Sequence, residues 1–222
     1  KINGIYYLIY SPKIGSRLAY ATSDKPTGPF TYRGYIIDNG KDYPGGNDHG
    51  SLVCIKGQWY IFYHRMTNGT VMSRRDCVER VEILPDGTIP EVEMTSLGFE
   101  DSLSPYNITD AEIACVIKGG AIVTEKNVFE RVVTNITDGC VLGYKYFDFG
   151  DDYSGKTMIF SALTNGMGCD SRLHILIDGE DGCVTGRHSV FFKVTTDYGD
   201  GWTGEFFKGR NLFELRSFVF MK

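Results

Sequence analysis

The densest group of residues able to do chemistry is Gly45-Gly-Asn-Asp-His-Gly-Ser51. It sets His49 among small and polar neighbours, just before an apolar run that ends in Tyr63-His64-Arg65. An imidazole titrates near neutral pH and can donate or accept. A loop histidine satisfied by local hydrogen bonds is the plainer reading, and spacing does not separate the two. Glu91 and Glu93 alternate at i, i+2, which on a strand puts both carboxylates on one face. That suits an acid and base pair, and it equally suits a solvated strand face. The acidic stretches Gly150-Asp-Asp152 and 178–181 do not follow the calcium-loop pattern of an EF-hand and read as solvated turns. The six cysteines are dispersed without a C-x-x-C pair, so a zinc site is not indicated and they read as small buried apolar residues.

The elements that would position these residues are strands. Asn3-Gly-Ile-Tyr-Tyr-Leu-Ile-Tyr-Ser11 lines up with Lys56-Gly-Gln-Trp-Tyr-Ile-Phe-Tyr-His64 at an offset of 53 residues. Each copy is a glycine turn followed by a run apolar on both faces, and a further strand is expected after each, over 17–22 and 71–74. A repeat of about 50 residues built from short strands is the signature of propeller blades. In a blade, the position of His49 would face the central channel. Asp24-Lys-Pro-Thr-Gly-Pro-Phe30 is a turn-rich connector, 32–37 reads as another strand, and 83–89 as a hairpin around Asp86-Gly87. The polar stretch Ser102-Leu-Ser-Pro-Tyr-Asn107 is a plausible linker, so a boundary is expected near residue 108. Beyond it, strands are expected over 121–124, 140–149, 156–163, 172–177, 188–194 and 213–220, with 110–117 also read as a strand. The fold class is therefore all-β, a partial propeller over 1–108 followed by a β-sandwich over 109–222.

Composition agrees and excludes some partners. Aromatics are 14% of 222 residues and glycines number 27, a mixture of strand and turn formers. The net charge of −5 argues against nucleic acid, whose binding needs clustered Lys and Arg. No apolar run reaches the roughly 18 residues of a membrane span. Free thiols favour a cytoplasmic location over a secreted one, while the even cysteine count leaves disulfides open. The chain starts within a hairpin and reads as cut, so localisation signals are not legible.

Several segments in the right order resemble the C-terminal half of glycoside hydrolase family 43: Lys1–Ser11, Ala21-Thr-Ser-Asp-Lys-Pro-Thr-Gly-Pro-Phe30, Asn47-Asp-His-Gly-Ser51, Trp59-Tyr-Ile-Phe-Tyr-His-Arg65 and Arg80–Gly98. The resemblance implies a five-bladed propeller that hydrolyses xylosidic and arabinosidic bonds with inversion. Inversion requires a general acid and a general base on opposite sides of the bond, with room for water between them. It also implies that the acid Glu and both catalytic Asp residues lie upstream of Lys1, so no catalytic residue is expected in the chain, which alone should be inactive. Glu91 and Glu93 are set aside on the same ground. His49 would contact a cation at the propeller axis, often calcium, through water, and Arg74 would reach toward the sugar.

The second half resembles carbohydrate-binding module family 6 through Gly139-Cys-Val-Leu-Gly-Tyr-Lys-Tyr-Phe-Asp-Phe-Gly150, Ile175-Leu-Ile-Asp-Gly-Glu-Asp-Gly182, Thr185-Gly-Arg-His-Ser-Val-Phe-Phe192 and Asn211-Leu-Phe-Glu-Leu-Arg-Ser-Phe-Val-Phe220. The resemblance implies a jelly roll that grips sugars between aromatic faces. Trp202 is the first candidate platform and Tyr198 the second, although either could simply close the end of the sandwich. Cys183-Val184 replaces a longer stretch of the family pattern. Arg216 stands where many members carry an Asp near a structural calcium, with Glu112 as the surviving acidic ligand. Together these readings imply a fragment of a xylan- or arabinan-directed hydrolase that meets plant cell-wall polysaccharide or oligosaccharide. The alternative is a non-catalytic carbohydrate-binding protein with a degenerate propeller.

Overall fold

The computed structural model describes residues 1–40, 46–150, 159–165, 168–178, 188–195, 207–209 and 213–221. The chain divides into two compact units, Lys1–Met94 and Thr95–Lys222. The described residues are almost entirely strand and turn, and none of their helices is long and apolar enough to cross a membrane.

In the first unit, β1 (Tyr6–Tyr10), β2 (Arg17–Ser23) and β3 (Thr31–Asp38) form one three-stranded antiparallel sheet. A second is formed by β4 (Gly50–Ile55), β5 (Gln58–Arg65) and β6 (Arg75–Val81). The repeat seen in the sequence is a repeat of turns. Asn3-Gly4 has φ values of 47° and 88°, and Lys56-Gly57 has 50° and 87°. Two successive left-handed residues make the turn whose twist matches that of paired strands. One face of each sheet joins a shared core: Leu18, Tyr20, Ile36 and Ile37 from the first meet Ile61, Tyr63 and Val81 from the second. Face-to-face stacking of successive antiparallel sheets is the packing of propeller blades.

An expected strand and an expected hairpin take other forms. Val71–Arg74 is a turn, because Thr70 accepts from Met72 N through its hydroxyl at 3.3 Å and from Ser73 N through its carbonyl at 3.3 Å, leaving β6 to start at Arg75. The segment 83–89 is a tight turn without ladder strands, closed by Leu84 N donating to Thr88 O at 2.9 Å. Its Ile89 is buried, with its amide on the Tyr20 hydroxyl at 2.9 Å.

The second unit is a sandwich of two sheets. One contains β7 (Thr109–Asp110), β9 (Ile122–Glu125), β10 (Arg131–Ile136), β12 (Ile159–Asn165) and β16 (Phe213–Met221). The other contains β8 (Val116–Lys118), β11 (Val141–Phe147), β13 (Gly168–Ile177), β14 (His188–Thr195) and β15 (Phe207–Gly209). The core between them is aromatic. Tyr144 on β11 and Phe192 on β14 each lie 4.8 Å from Phe218 on β16, edge to face. That arrangement sets each ring's positive edge on a negative face. The expected strand over 110–117 is interrupted by a 3-10 turn, Ala111–Ile113, where Tyr144 Oη donates to Ala111 O at 2.9 Å. The polar stretch 102–107 lies with this unit, with Leu103 N donating to Tyr146 O at 2.8 Å.

Candidate functional site

His49 sits one residue before β4 and is exposed, as a residue offered to a ligand must be. Its ring stacks on that of His64, with centroids 5.5 Å apart and planes within 23°. His64 lies near the end of β5 and is buried. The His49 amide donates to His64 Nδ1 at 3.2 Å. A nitrogen that accepts carries no proton, so the neutral His64 ring holds its hydrogen on Nε2. Nε2 is buried, with no hydrogen-bond partner among the described residues. Desolvation lowers the pKa of His64, and the positive charge of Arg74 adds to that effect. Arg74 itself is exposed, in the turn before β6. The structure thus stacks His49 on a buried imidazole whose titration also feels the charge of Arg74.

Beneath this pair lies a group that the sequence reading passed over. Asp48 is fully buried. Its Oδ2 accepts from Asn39 Nδ2 at 3.0 Å, and its Oδ1 accepts from the His64 amide at 3.3 Å. Asn39 also donates to His64 O at 2.8 Å, and the Asp48 amide donates to Ser11 Oγ at 3.4 Å. The ends of β1, β3 and β5 are therefore tied to the loop that presents His49. Burial drives the carboxyl up to about 7 against the two backbone hydrogen bonds that favour its charge. Nothing local in Asn47-Asp-His-Gly50 marks Asp48 as buried. The burial is made by Asn39 and His64, which lie 9 and 16 residues away.

Gly50 follows, and a Cβ there would stand 2.3 Å from Phe62 O and 2.6 Å from Leu18 Cδ2. Only glycine lets β4 approach its neighbours so closely after the histidine. Among the described residues no three histidine, cysteine or acidic side chains gather as metal ligands. The exposed His49 imidazole is compatible with a cation reached through water, and no inner-sphere cage accompanies it among the described residues.

Glu91 and Glu93 are exposed on an extended segment outside any sheet, where the intervening Val92 donates its amide to Ile36 O at 2.8 Å. In the second unit, Glu112 lies on the 3-10 turn, 3.6 Å from Arg131 Nη1. Trp202 and Tyr198 lie outside the described residues.

No family model matches the chain. It is 40% identical over 177 residues to a xylosidase/arabinosidase of Thermoclostridium stercorarium, covering 64% of this chain and 37% of that protein. It is 30% identical over 216 residues to an arabinoxylan arabinofuranohydrolase of Bacillus subtilis (strain 168), covering 86% of this chain and 41% of that protein. The chain thus spans less than half the length of these curated relatives. Among solved structures, a glycoside hydrolase family 43 arabinoxylan arabinofuranohydrolase from Bacillus subtilis, in complex with cellotetraose, aligns with all of this chain and 53% of its own at 26% identity and a TM-score of 0.49. A family 6 carbohydrate-binding module aligns with 53% of this chain and 94% of its own at 18% identity and a TM-score of 0.39.

Proposed function

We propose that this chain, a homologue of the family 43 glycoside hydrolases, is the sugar-contacting frame and binding module of an enzyme that cleaves xylan- or arabinan-type polysaccharides. The observation that carries this is 30% identity sustained over 216 residues, through both units, to a protein named arabinoxylan arabinofuranohydrolase. In this reading the first unit lines the sugar site with the His49 imidazole and the Arg74 guanidinium, both exposed and both acting on buried His64, one by stacking and one by charge. The inverting acid and base are not assigned to any residue here, so the chain by itself binds and does not hydrolyse. An axial calcium would be met by His49 through water, as an outer contact that sets orientation. The sandwich adds affinity for the polymer through stacking on Trp202, with Tyr198 as a second platform.

Calorimetric titration of xylo- and arabinoxylo-oligosaccharides tests the reading. The chain is expected to bind them, and Trp202→Ala is expected to weaken binding roughly three- to tenfold, the loss of one stacked ring. His49→Ala and Arg74→Ala should weaken binding without lowering the melting temperature, since both side chains are exposed. Arabinose or xylose release from arabinoxylan by this chain alone would overturn the assignment of the chemistry elsewhere. No heat with any xylan-derived sugar would overturn the binding role.

A further inference from the structure

One end of the β9–β10 hairpin gathers a dense group of charged side chains from segments far apart in sequence. Glu112 comes from the 3-10 turn, Glu125 from β9, Lys126 and Glu130 from the hairpin, Arg131 from β10, and Glu214 and Arg216 from β16. Arg216 Nε lies 2.8 Å from Glu214 Oε1, and its Nη1 lies 3.0 Å from Glu130 Oε1. Lys126 Nζ meets the same Glu214 oxygen. Arg131 spans Glu112 and Glu125, at 3.6 Å each. The side chain of Glu214 is only 12% exposed. Burial opposes its ionisation, yet the hydrogen bonds from Lys126 and Arg216 prevail and hold its pKa below the usual carboxylate range.

A calcium ion in this place would need about six to eight oxygen ligands. The donor set does not fit. The Glu112 carboxylate is engaged by Arg131, and Arg216 brings a fixed positive charge where an acidic ligand would be required. Among the described residues, no three acidic side chains are grouped to hold an ion. We infer that Arg131 and Arg216, with Lys126, take the place of a structural cation in this unit, tying the 3-10 turn, the β9–β10 hairpin and β16 together by ion pairs. An isolated exposed ion pair contributes little, but a shared, partly buried carboxylate with two cationic partners forms a network.

Differential scanning calorimetry of the full chain tests this. Calcium or a chelator is expected to leave the melting transition of the second unit unmoved, whereas raising sodium chloride should lower it, because screening acts on the ion pairs. Arg131→Gln/Arg216→Gln should lower that transition by about 4 °C, with no recovery in calcium. Arg216→Asp, which replaces the fixed positive charge on β16 by an acid, should make the transition calcium-responsive. The inference is overturned if calcium raises the wild-type transition and Glu112→Gln abolishes the rise. It is equally overturned if the double variant melts unchanged. Should the double variant fail to fold, the wild-type and Glu112→Gln calcium titrations decide alone.

Discussion

Replacing Asp48 by asparagine should remove a pH dependence from the stability of the first unit, with a size fixed by the carboxyl's burial. An ordinary aspartate titrates at 3.8, and Asp48 in the folded chain is pushed up to about 7. Below the lower value it is protonated in both states and burial carries no ionic penalty. Between the two values the unfolded chain releases the proton and the folded chain keeps it, so stability falls by about 1.4 kcal/mol per pH unit. Above about 7 the loss levels off, near 4 kcal/mol in total for a shift of about three units. The substituted amide cannot ionise, but it gives up one of the two oxygens that accept from Asn39 and the His64 amide, costing about 1 kcal/mol at every pH. Asp48→Asn should therefore be slightly less stable than wild type at acid pH and about 3 kcal/mol more stable at mildly alkaline pH. Urea titrations followed by Trp59 fluorescence, in a Trp202→Phe background, measure the difference, and titrations common to both proteins cancel. Trp59 packs against the shared core of the two blades. A wild-type-minus-variant difference that stays flat from pH 4 to pH 8, within roughly 1 kcal/mol, would refute the reasoning.

Gly143→Ala should destabilise the sandwich by about 1–3 kcal/mol in chemical denaturation, because the added methyl meets Phe191 Cε1 at 2.6 Å and Val116 Cβ at 2.9 Å. Phe218→Ala should cost about 3–5 kcal/mol by the same measurement, since Phe218 is buried and meets Tyr144, Phe147, Phe160 and Phe192 across the core. Asp178→Ala should raise amide exchange at Ser189. Asp178 accepts from that amide at 3.2 Å and pairs with His188 Nδ1 at 2.9 Å, from a backbone held at φ 65°. Asp178→Asn tolerates that backbone and should perturb exchange less.

The strands of the first unit were legible because their signal is local. Tyr6–Tyr10 and Gln58–Arg65 are aromatic and β-branched runs behind turns that carry glycine. β10, Arg131–Ile136, was not anticipated, because its two valines are followed by Thr134 and Asn135, which read as a loop. Its buried Val132 and Val133 owe their place to β9 across the hairpin on one side and to β16 on the other, and β16 is encoded far along the chain. The same holds for the site. His49 could be singled out from its neighbours, whereas Asp48 gains its character from Asn39 and His64. Val71–Arg74 failed for the opposite reason: a local Thr70 turn captured amides that a strand would have needed.

The recurrence of one turn geometry at Asn3-Gly4 and Lys56-Gly57 bears on how the chain assembles. The Lys56-Gly57 turn joins β4 to β5 over neighbouring residues, so that hairpin can zip within microseconds, before any long-range pairing is made, whereas Asn3-Gly4 bridges Ile2 to Ile5. The two arms they launch, Tyr6–Tyr10 and Gln58–Arg65, are alike in their aromatic and β-branched character. Runs so alike invite alternate pairings while a chain is collapsing. The hydrogen bonds among Asp48, Asn39 and His64 join the ends of β3 and β5 to the loop before β4, so they are complete only once both sheets are in place. The cluster that presents His49 is thus also a long-range polar tie between the two sheets of the first unit.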